Sequence, residues 1–419
     1  MSIELLSPAG DPEKLRIALS YGADAVYGGV SHFSLRIRSG RDFNYETFAE
    51  SIRWTHERGK KVYATVNGFP FNSQVALVEE HLERMAAMQV DAIIVSTPGV
   101  IRMAQRHAPG IPLHLSTQAN VLNWMDAAFY RDIGIKRIIA AREASLKDLE
   151  EIKAKVPDVE LEVFVHGSMC FAYSGRCLIS SLQMGRVPNR GSCANDCRMP
   201  YEIYVKNPEH NVLMRVEEDE SGTYIFNAKD LNLAAHIKEI YDSGVIDSIK
   251  IEGRTKSAYY AAVATRAYRM ALDDCVAGTF SPQRYEAELE TLKNRGYSDN
   301  YLFSKPYERT DTQNLDYAIS EGEWQVNGIV RDDGVSFMCK DRILPGDVME
   351  LITPYQTQPH SVTNDIGAIW QEGERWYIRF DKIITESGKE LASVHSGNTN
   401  PIKLPTSLPP YSLFRRSLV

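Results

Sequence analysis

The sequence predicts an α/β chain. Its main body is a (β/α)8 TIM-like barrel with a cysteine-containing insertion after strand 7, and a small C-terminal antiparallel β-barrel domain follows. Residues 1–275 alternate β-branched apolar runs with amphipathic helical stretches. Four of the six cysteines (Cys170, Cys177, Cys193 and Cys197) crowd into one irregular segment. From about Leu315 the pattern changes to short alternating runs separated by turns such as RDDG, LPGD and QEGE.

The strand-like runs are Ile3–Leu6, Ala25–Tyr27, Lys61–Val66, Ala92–Val95, Leu113–Leu115, Arg137–Ile139, Leu161–Val165 and Asp247–Ile251. Helical stretches lie between them, among them Asp11–Tyr21, Tyr45–Arg58, Val75–Met88, Trp124–Asp132, Ser145–Lys155 and Ala228–Asp242. YGAD, RDIGIKR and DSGVIDS repeat one device, a glycine that ends a helix just before the next strand. Eight such units match the usual size of a (β/α)8 barrel. A doubly wound open sheet is the alternative, but the glycine-rich dinucleotide loop of that fold is missing. The segment 166–225 reads as an insertion over the barrel mouth, because loops that follow strands form the catalytic face of a barrel. Helix Ser257–Leu272 closes the barrel, and Pro282–Arg295 leads out through a helical linker, 276–314. Residues 315–419 form the β-domain, with strands at Trp324–Val330, Val335–Cys339, Asp347–Ile352, Ile366–Trp370 and Trp376–Phe380.

The chain is 43% hydrophobic and 24% charged over 419 residues, enough for a full core. Met1-Ser2-Ile3-Glu4 lacks the basic head of a signal peptide, and no apolar run approaches the ~20 residues of a membrane span. The expectation is a soluble cytoplasmic protein without a membrane partner, in which clustered cysteines stay reduced and favour a metal over disulfides. The net charge of −8 argues against bulk attraction to nucleic acid. A local patch is available, since Arg176, Arg186, Arg190 and Arg198 surround the thiols and Asp196 is the one acid between Cys170 and Cys197. The competing use for these arginines is pairing with acids elsewhere on the fold.

The cysteine spacing is C-x6-C-x15-C-x3-C. The last pair suits zinc, the first is wide for a zinc knuckle, and the whole is not a ferredoxin run, so spacing leaves zinc and iron–sulfur level. Cys275 and Cys339 stand apart and read as core thiols. Polar residues gather where the barrel strands end: Asn67; Ser96 and Thr97; His114, Ser116, Thr117, Gln118 and Asn120; Arg142 and Glu143; His166; and Lys250, Glu252 and Arg254. His166, Glu143 and Glu252 are candidate catalytic groups, and Arg142, Lys250, Arg254, Gln118 and Asn67 candidate substrate-binding groups. Three cations converging on one mouth suit a small anionic substrate bearing carboxylates or phosphates. The alternative is a structural network in which Arg142 and Glu143 pair with Glu252 and Lys250. Zincin, nucleophile-elbow and phosphate-loop signatures are missing. Pattern alone leaves a Cys–His nucleophile pair open, although thiols that hold a metal are not free to attack.

The opening ELLSPAGDPEKLRIALSYGADAVYGG, the central VHGSMCFAYSGRC followed by NRGSCANDCR, and the later IKIEGRTKSAYY resemble the collagenase-like peptidase family U-32 over roughly residues 3–305. The β-domain resembles the C-terminal extension of that family's tRNA-hydroxylation subgroup. The resemblance implies that Cys170, Cys177, Cys193 and Cys197 hold an iron–sulfur cluster of the 4Fe-4S type. It implies prephenate-dependent hydroxylation of the tRNA wobble uridine to 5-hydroxyuridine, with tRNA as partner alongside electron-transfer or iron–sulfur assembly proteins. Prephenate is a dicarboxylate, which suits the cationic mouth. The tRNA would meet the arginines beside the thiols and the β-domain aromatics Trp324, Trp370, Trp376 and Tyr377. Two other readings stand beside this one, a collagenase-like peptidase and a non-catalytic scaffold pinned by zinc.

Overall fold

The computed structural model describes residues 3–30, 43–170, 174, 176–177, 179–184, 193–199, 203–207, 212–216, 228–304, 311–312 and 322–418. In chain order the first strands are β1 Glu4–Pro8, β2 Ala25–Gly28, β3 Lys61–Val66, β4 Ala92–Val95, β5 Leu113–Leu115, β6 Ile135–Ile139 and β7 Glu160–Gly167. They alternate with α1 Pro12–Ser20, α2 Tyr45–His56, α3 Val75–Ala87, α4 Pro98–His107, α5 Trp124–Asp132 and α6 Leu146–Lys155. The insertion carries α7 Ile179–Met184 and the hairpin β8 Ile203–Asn207 and β9 Val212–Val216. Then come β10 Asp230–Asn232, α8 Ile237–Ser243, β11 Ser248–Ile251, α9 Ala258–Ala277, α10 Pro282–Leu289 and β12 Tyr297–Ser298. Strands β1 to β7 pair in sequence order, all parallel, and β11 joins both β1 and β7. Eight parallel strands therefore close into the barrel expected from the sequence, with β11 as the eighth.

Alternation along the strands decides what faces where. Leu6, Tyr27, Tyr63, Ile94 and Ile139, with Phe164, form an inner cluster. Leu5, Val26, Val62, Ile93, Ile138, Val163 and Ile249 belong to the larger core with the helices. The side chains of Asp11, Asn44, Thr97, Asn123, Ser145 and Ser257 cap their helices, so each of these helices starts at the mouth. Gly22 and Gly244 take φ of 105° and 67° where α1 and α8 stop, a region that costs glycine little.

The helix expected at Ala228–Asp242 is shorter than the sequence suggests. Leu231 and Asn232 pair antiparallel with Gly167 and His166, so Asp230–Asn232 is a strand and the α-helix begins only at Ile237. The apolar pattern there serves sheet pairing with a residue far away in sequence, which local periodicity does not register. The helix expected over Pro282–Arg295 ends at Leu289. Beyond it Thr291 accepts from Tyr259 and Arg295 turns inward to pair with Asp230. The 276–314 stretch also adds β12 to the barrel sheet, parallel to β10.

The C-terminal region is one curled antiparallel sheet of eight strands. Its own core includes Val330, Phe337, Ile369, Ile378, Phe380 and Phe414. It docks along α1, α9 and α10. Tyr21 donates to the carbonyls of Ile352 and Tyr411 at 3.0 and 3.1 Å. Arg415, 1% exposed, donates to Tyr259 and Thr291, each at 3.0 Å, and to Glu350 at 3.0 Å. Trp324 lies under the Arg415 guanidinium, and Trp370 stacks on Tyr377. Trp376 packs against the domain core, so all four aromatics expected to meet RNA are half-buried. Among the described residues no helix is long and apolar enough to cross a membrane.

Candidate active site at the barrel mouth

The barrel interior holds a closed set of charges. Lys250 on β11 donates to Glu162 on β7 at 2.8 Å, and their side chains are 4% and 0% exposed. Arg137 on β6 reaches Glu162 at 3.1 Å, Glu160 at 2.7 Å and Glu4 at 2.5 Å. Burial works to raise the Glu162 carboxyl, but Lys250 and Arg137 outweigh it and hold it down at about 2. Lys250 is itself pushed down by burial and supported by Glu162. The lysine expected to bind substrate is therefore committed to Glu162 inside the barrel and does not open to the mouth.

His166 is also displaced from its expected place. A register shift between Lys250 and Ile251 pairs Lys250 with Phe164 but Ile251 with His166, so β7 carries one extra residue there. Without the shift, parity with Glu162 and Phe164 would point His166 inward; with it, His166 falls in phase with Ile251, whose side chain packs in the outer core. Its ring lies 5.6–5.7 Å from Tyr260, Tyr268 and Tyr297. Burial pushes it down to about 3, against the pull of Asp230. This histidine is 1% exposed and lies behind the barrel wall, away from the mouth. His114 on β5 is inside the barrel, edge-on to Tyr63 at 4.7 Å, and is likewise pushed to about 3 by burial and then by Arg137.

The mouth proper gathers the remaining candidates. Arg142 follows β6, and its guanidinium lies 4.3 Å from the Phe164 ring centroid. From there Nη2 comes within 3.9 Å of Glu252 Oε2, and Nη1 lies 3.8 Å from Cys170 Sγ. Glu252 also accepts from the Tyr27 hydroxyl at 3.4 Å. Two glycines allow the close packing of Glu252 and Tyr260 here. A Cβ on Gly253 (φ +147°) would lie 2.4 Å from Tyr260 Cε1, and one on Gly167 (φ +108°) would lie 2.5 Å from the Glu252 carbonyl. Arg254, 8% exposed, donates to Thr65 at 2.9 Å. Asn67 donates to Ser116 at 3.3 Å, and Ser116 to Gln118 at 3.4 Å, forming a second polar group just past the ends of β3 and β5. The buried oxygens Oδ1 of Asn67 and Asn120, and Nε of Arg142, lack protein partners. Such atoms are where a small polar ligand or ordered water is taken up. Glu143 turns toward the insertion and accepts from the Ser174 amide at 3.1 Å.

Among the described residues none of the four cysteines of the insertion is in a disulfide. Cys170 lies three residues past the end of β7 and is exposed; Cys177, Cys193 and Cys197 are half-buried. Ser180 on α7 accepts from the Ala194 amide at 3.0 Å, which ties the first cysteine pair to the second. Burial pushes the Cys177 thiol up, and the charges of Cys170 and Cys193 add to that, as neighbouring sulfurs do. Among the described residues no group of three or more Cys, His, Asp or Glu is drawn into metal-ligand geometry. By chemistry the donor set still fits: four reduced sulfurs on one segment, with an arginine N–H directed at one of them. Of the surrounding arginines, Arg176 is exposed; Arg186 and Arg190 lie outside the described residues, and of Arg198 only the backbone is described. Cys275 and Cys339 are each pushed up to about 11 by burial, as core thiols are.

Sequence reasoning missed Tyr27, Thr65, Phe164 and Ser174, which hold Glu252, Arg254, Arg142 and Glu143. Inward parity on β2, β3 and β7 would have found the first three. Nothing local marks Ser174.

The family model for peptidase family U32 matches residues 10–312. The chain is similar to a protein of Helicobacter pylori strain J99 called tRNA hydroxylation protein P, with 59% identity over 99% of this chain and 98% of that one. A protein of the same name from Escherichia coli K12 is 39% identical over 84% of this chain and 86% of its own. A collagenase of Porphyromonas gingivalis is 31% identical over 72% of this chain and 74% of its own.

Proposed function

Since the chain belongs to peptidase family U32, we propose, among the activities borne by that family's relatives, that it carries out tRNA hydroxylation, converting the wobble uridine to 5-hydroxyuridine with prephenate as an anionic cosubstrate. The observation that carries this reading is the 59% identity to a tRNA hydroxylation protein across 99% of the chain, which takes in the β-domain as well as the barrel. The collagenase match covers 72% of the chain, and His114 inside the barrel and His166 behind its wall are both buried, which disfavours their charged forms. Neither histidine is placed as a general base for a nucleophile at the mouth, which disfavours a Cys–His peptidase.

Replacing hydrogen by hydroxyl at carbon 5 is an oxidation that side chains do not perform, so a cofactor has to carry it. Cys170, Cys177, Cys193 and Cys197 are the residues that would hold an iron–sulfur cluster of the 4Fe-4S type, which would supply electron transfer; zinc on the same thiols would leave a structural site only. Arg142 and Arg254 bind and orient a carboxylate-bearing cosubstrate, with Asn67 and Gln118 offering amide contacts. Glu252, set between Tyr27 and Arg142, can hold or release a proton at the mouth. An unstacked anticodon base reaches the mouth without duplex opening. The exposed Arg176 meets RNA phosphate, and a tRNA substrate places the work in the cytoplasm alongside electron-transfer or iron–sulfur assembly partners. The test is mass spectrometry of tRNA from a strain lacking this gene, before and after complementation. 5-Hydroxyuridine-derived wobble nucleosides should vanish and return, and unchanged nucleosides with no redundant pathway would sink the reading. Anaerobically purified protein that is colourless and carries one zinc would sink the cluster.

A further inference from the structure

Arg142 joins the sulfur of Cys170 to the mouth. Arg142 is 11% exposed in its side chain and pinned face-on against Phe164. The edge carrying Nη1 is directed at Cys170, the Nη2 edge at Glu252, and Nε is buried with no protein partner. Neither contact is tight, 3.8 Å to the sulfur and 3.9 Å to the carboxylate, so the guanidinium is shared between them and saturated by neither. The fork of arginine allows this division, whereas a lysine ammonium on the same stem could serve one side only. Small neighbours, Ala140, Ala141 and Ala144, leave a cavity of about 20 Å³ beside it, room for a single water.

We propose that Arg142 is a positioning residue that sets the reduction potential of a cluster held through Cys170 and transmits to it the charge at the mouth. The inference rests on the cluster reading above. Hydrogen bonds and positive charge at a ligating sulfur stabilise the reduced, more negative state, so Arg142 raises the potential. Glu252 opposes it by competing for the same guanidinium and by its own charge. An anionic ligand that takes Nε and Nη2 acts in the same direction as Glu252 and lowers the potential.

The experiment is a redox titration of the anaerobically reconstituted full-length chain, followed by optical and paramagnetic-resonance spectra, with iron and sulfide content measured for each variant. Arg142→Gln should shift the one-electron equilibrium at least tenfold toward the oxidised form, a midpoint lower by about 59 mV. Arg142→Lys should fall between Arg142→Gln and wild type. Glu252→Gln should move the midpoint the opposite way, upward. Midpoints of loaded Arg142→Lys and Glu252→Gln chains that match wild type overturn the inference, even where Arg142→Gln takes up no cluster. A wild-type chain that takes up no iron overturns the cluster reading and this inference together, whereas a loaded chain with unmoved midpoints overturns this inference alone.

Discussion

Inside the barrel, Arg137 meets Glu4, Glu160 and Glu162, and Lys250 closes on Glu162, all within 3.1 Å. A few residues further along the same strands, Arg142 reaches Glu252 only at 3.9 Å and keeps a buried Nε without a protein partner. Both regions set arginine against glutamate on, or just past the ends of, strands β6 and β11 and their neighbours. The interior set is tightly paired, with Lys250 and Glu162 buried and Glu160 at its solvent-facing edge, so it fixes how neighbouring strands register. At the mouth Arg142 Nε and the Oδ1 atoms of Asn67 and Asn120 are left without protein partners, as polar atoms are where a site awaits a ligand. The sharpest way to break this contrast is to remove one group from each region and ask whether function or folding fails.

The largest effect is expected at the mouth. Cys170→Ser should abolish iron uptake and 5-hydroxyuridine formation, read by metal analysis and tRNA mass spectrometry. Because Cys170 is exposed, urea unfolding of the metal-free chain should change by no more than about 0.5 kcal/mol. A Cys170→Ser chain that keeps its iron would remove Cys170 from the ligand set.

The interior should show the reverse. Lys250→Met leaves buried Glu162 with Arg137 as its remaining cation, so the loss should stay below the roughly 3–5 kcal/mol of a fully stranded buried charge but well above that of a surface change. The double replacement Lys250→Met with Glu162→Leu should recover much of that, since no charge is then stranded. Urea midpoints of the metal-free chains measure both. A Lys250→Met chain as stable as wild type would mean that the lysine is free for a ligand after all.

A smaller effect follows from the histidines. His114 and His166 are held at about 3 in the folded chain against about 6.5 when unfolded. Between those values the unfolded chain binds more protons, so stability is full above about pH 6.5 and falls as pH drops toward 3. Each fully buried histidine contributes up to about 1.4 kcal/mol per pH unit in that window. Glu162, held at about 2, adds its own loss only below its unfolded value of about 4.5. Thermal unfolding between pH 7 and 5 should therefore fall less steeply in His166→Gln. An unchanged slope would place His166 in contact with water.

These two regions were not equally legible in the sequence. The barrel follows from periodicity, because each strand's outward face and each helix's inward face must bury apolar side chains. The cysteine segment stood out by composition alone. The partners of the charged residues were not readable. Lys250 and Glu162 meet because β11 closes the barrel against β7, and that pairing is a property of closure rather than of either strand. His166 was misplaced by one residue of bulge, which reverses the parity that an alternation argument uses. Asp230–Asn232 read as helix because its neighbours are helical, while its pairing with Gly167 and His166 was out of sight.

The smallest effect tests which side of the comparison Glu143 belongs to. It lies at the mouth, yet its carboxylate is spent on the Ser174 amide at 3.1 Å and hydroxyl at 3.4 Å, so it resembles the interior set in having its partners inside the protein. If it anchors the insertion, Glu143→Gln keeps an acceptor oxygen and forfeits only the charge assistance, a loss of about 1 kcal/mol. Iron content should then hold and hydroxylation should fall only a few-fold. If it moves a proton in the reaction, the amide cannot replace it, and the rate should drop by about 10²–10⁴ with stability hardly altered. Single-turnover assays on loaded wild-type and Glu143→Gln chains separate the two. The bonds to Ser174 favour the anchor, and a hundredfold loss of rate at unchanged iron content would return Glu143 to the chemistry.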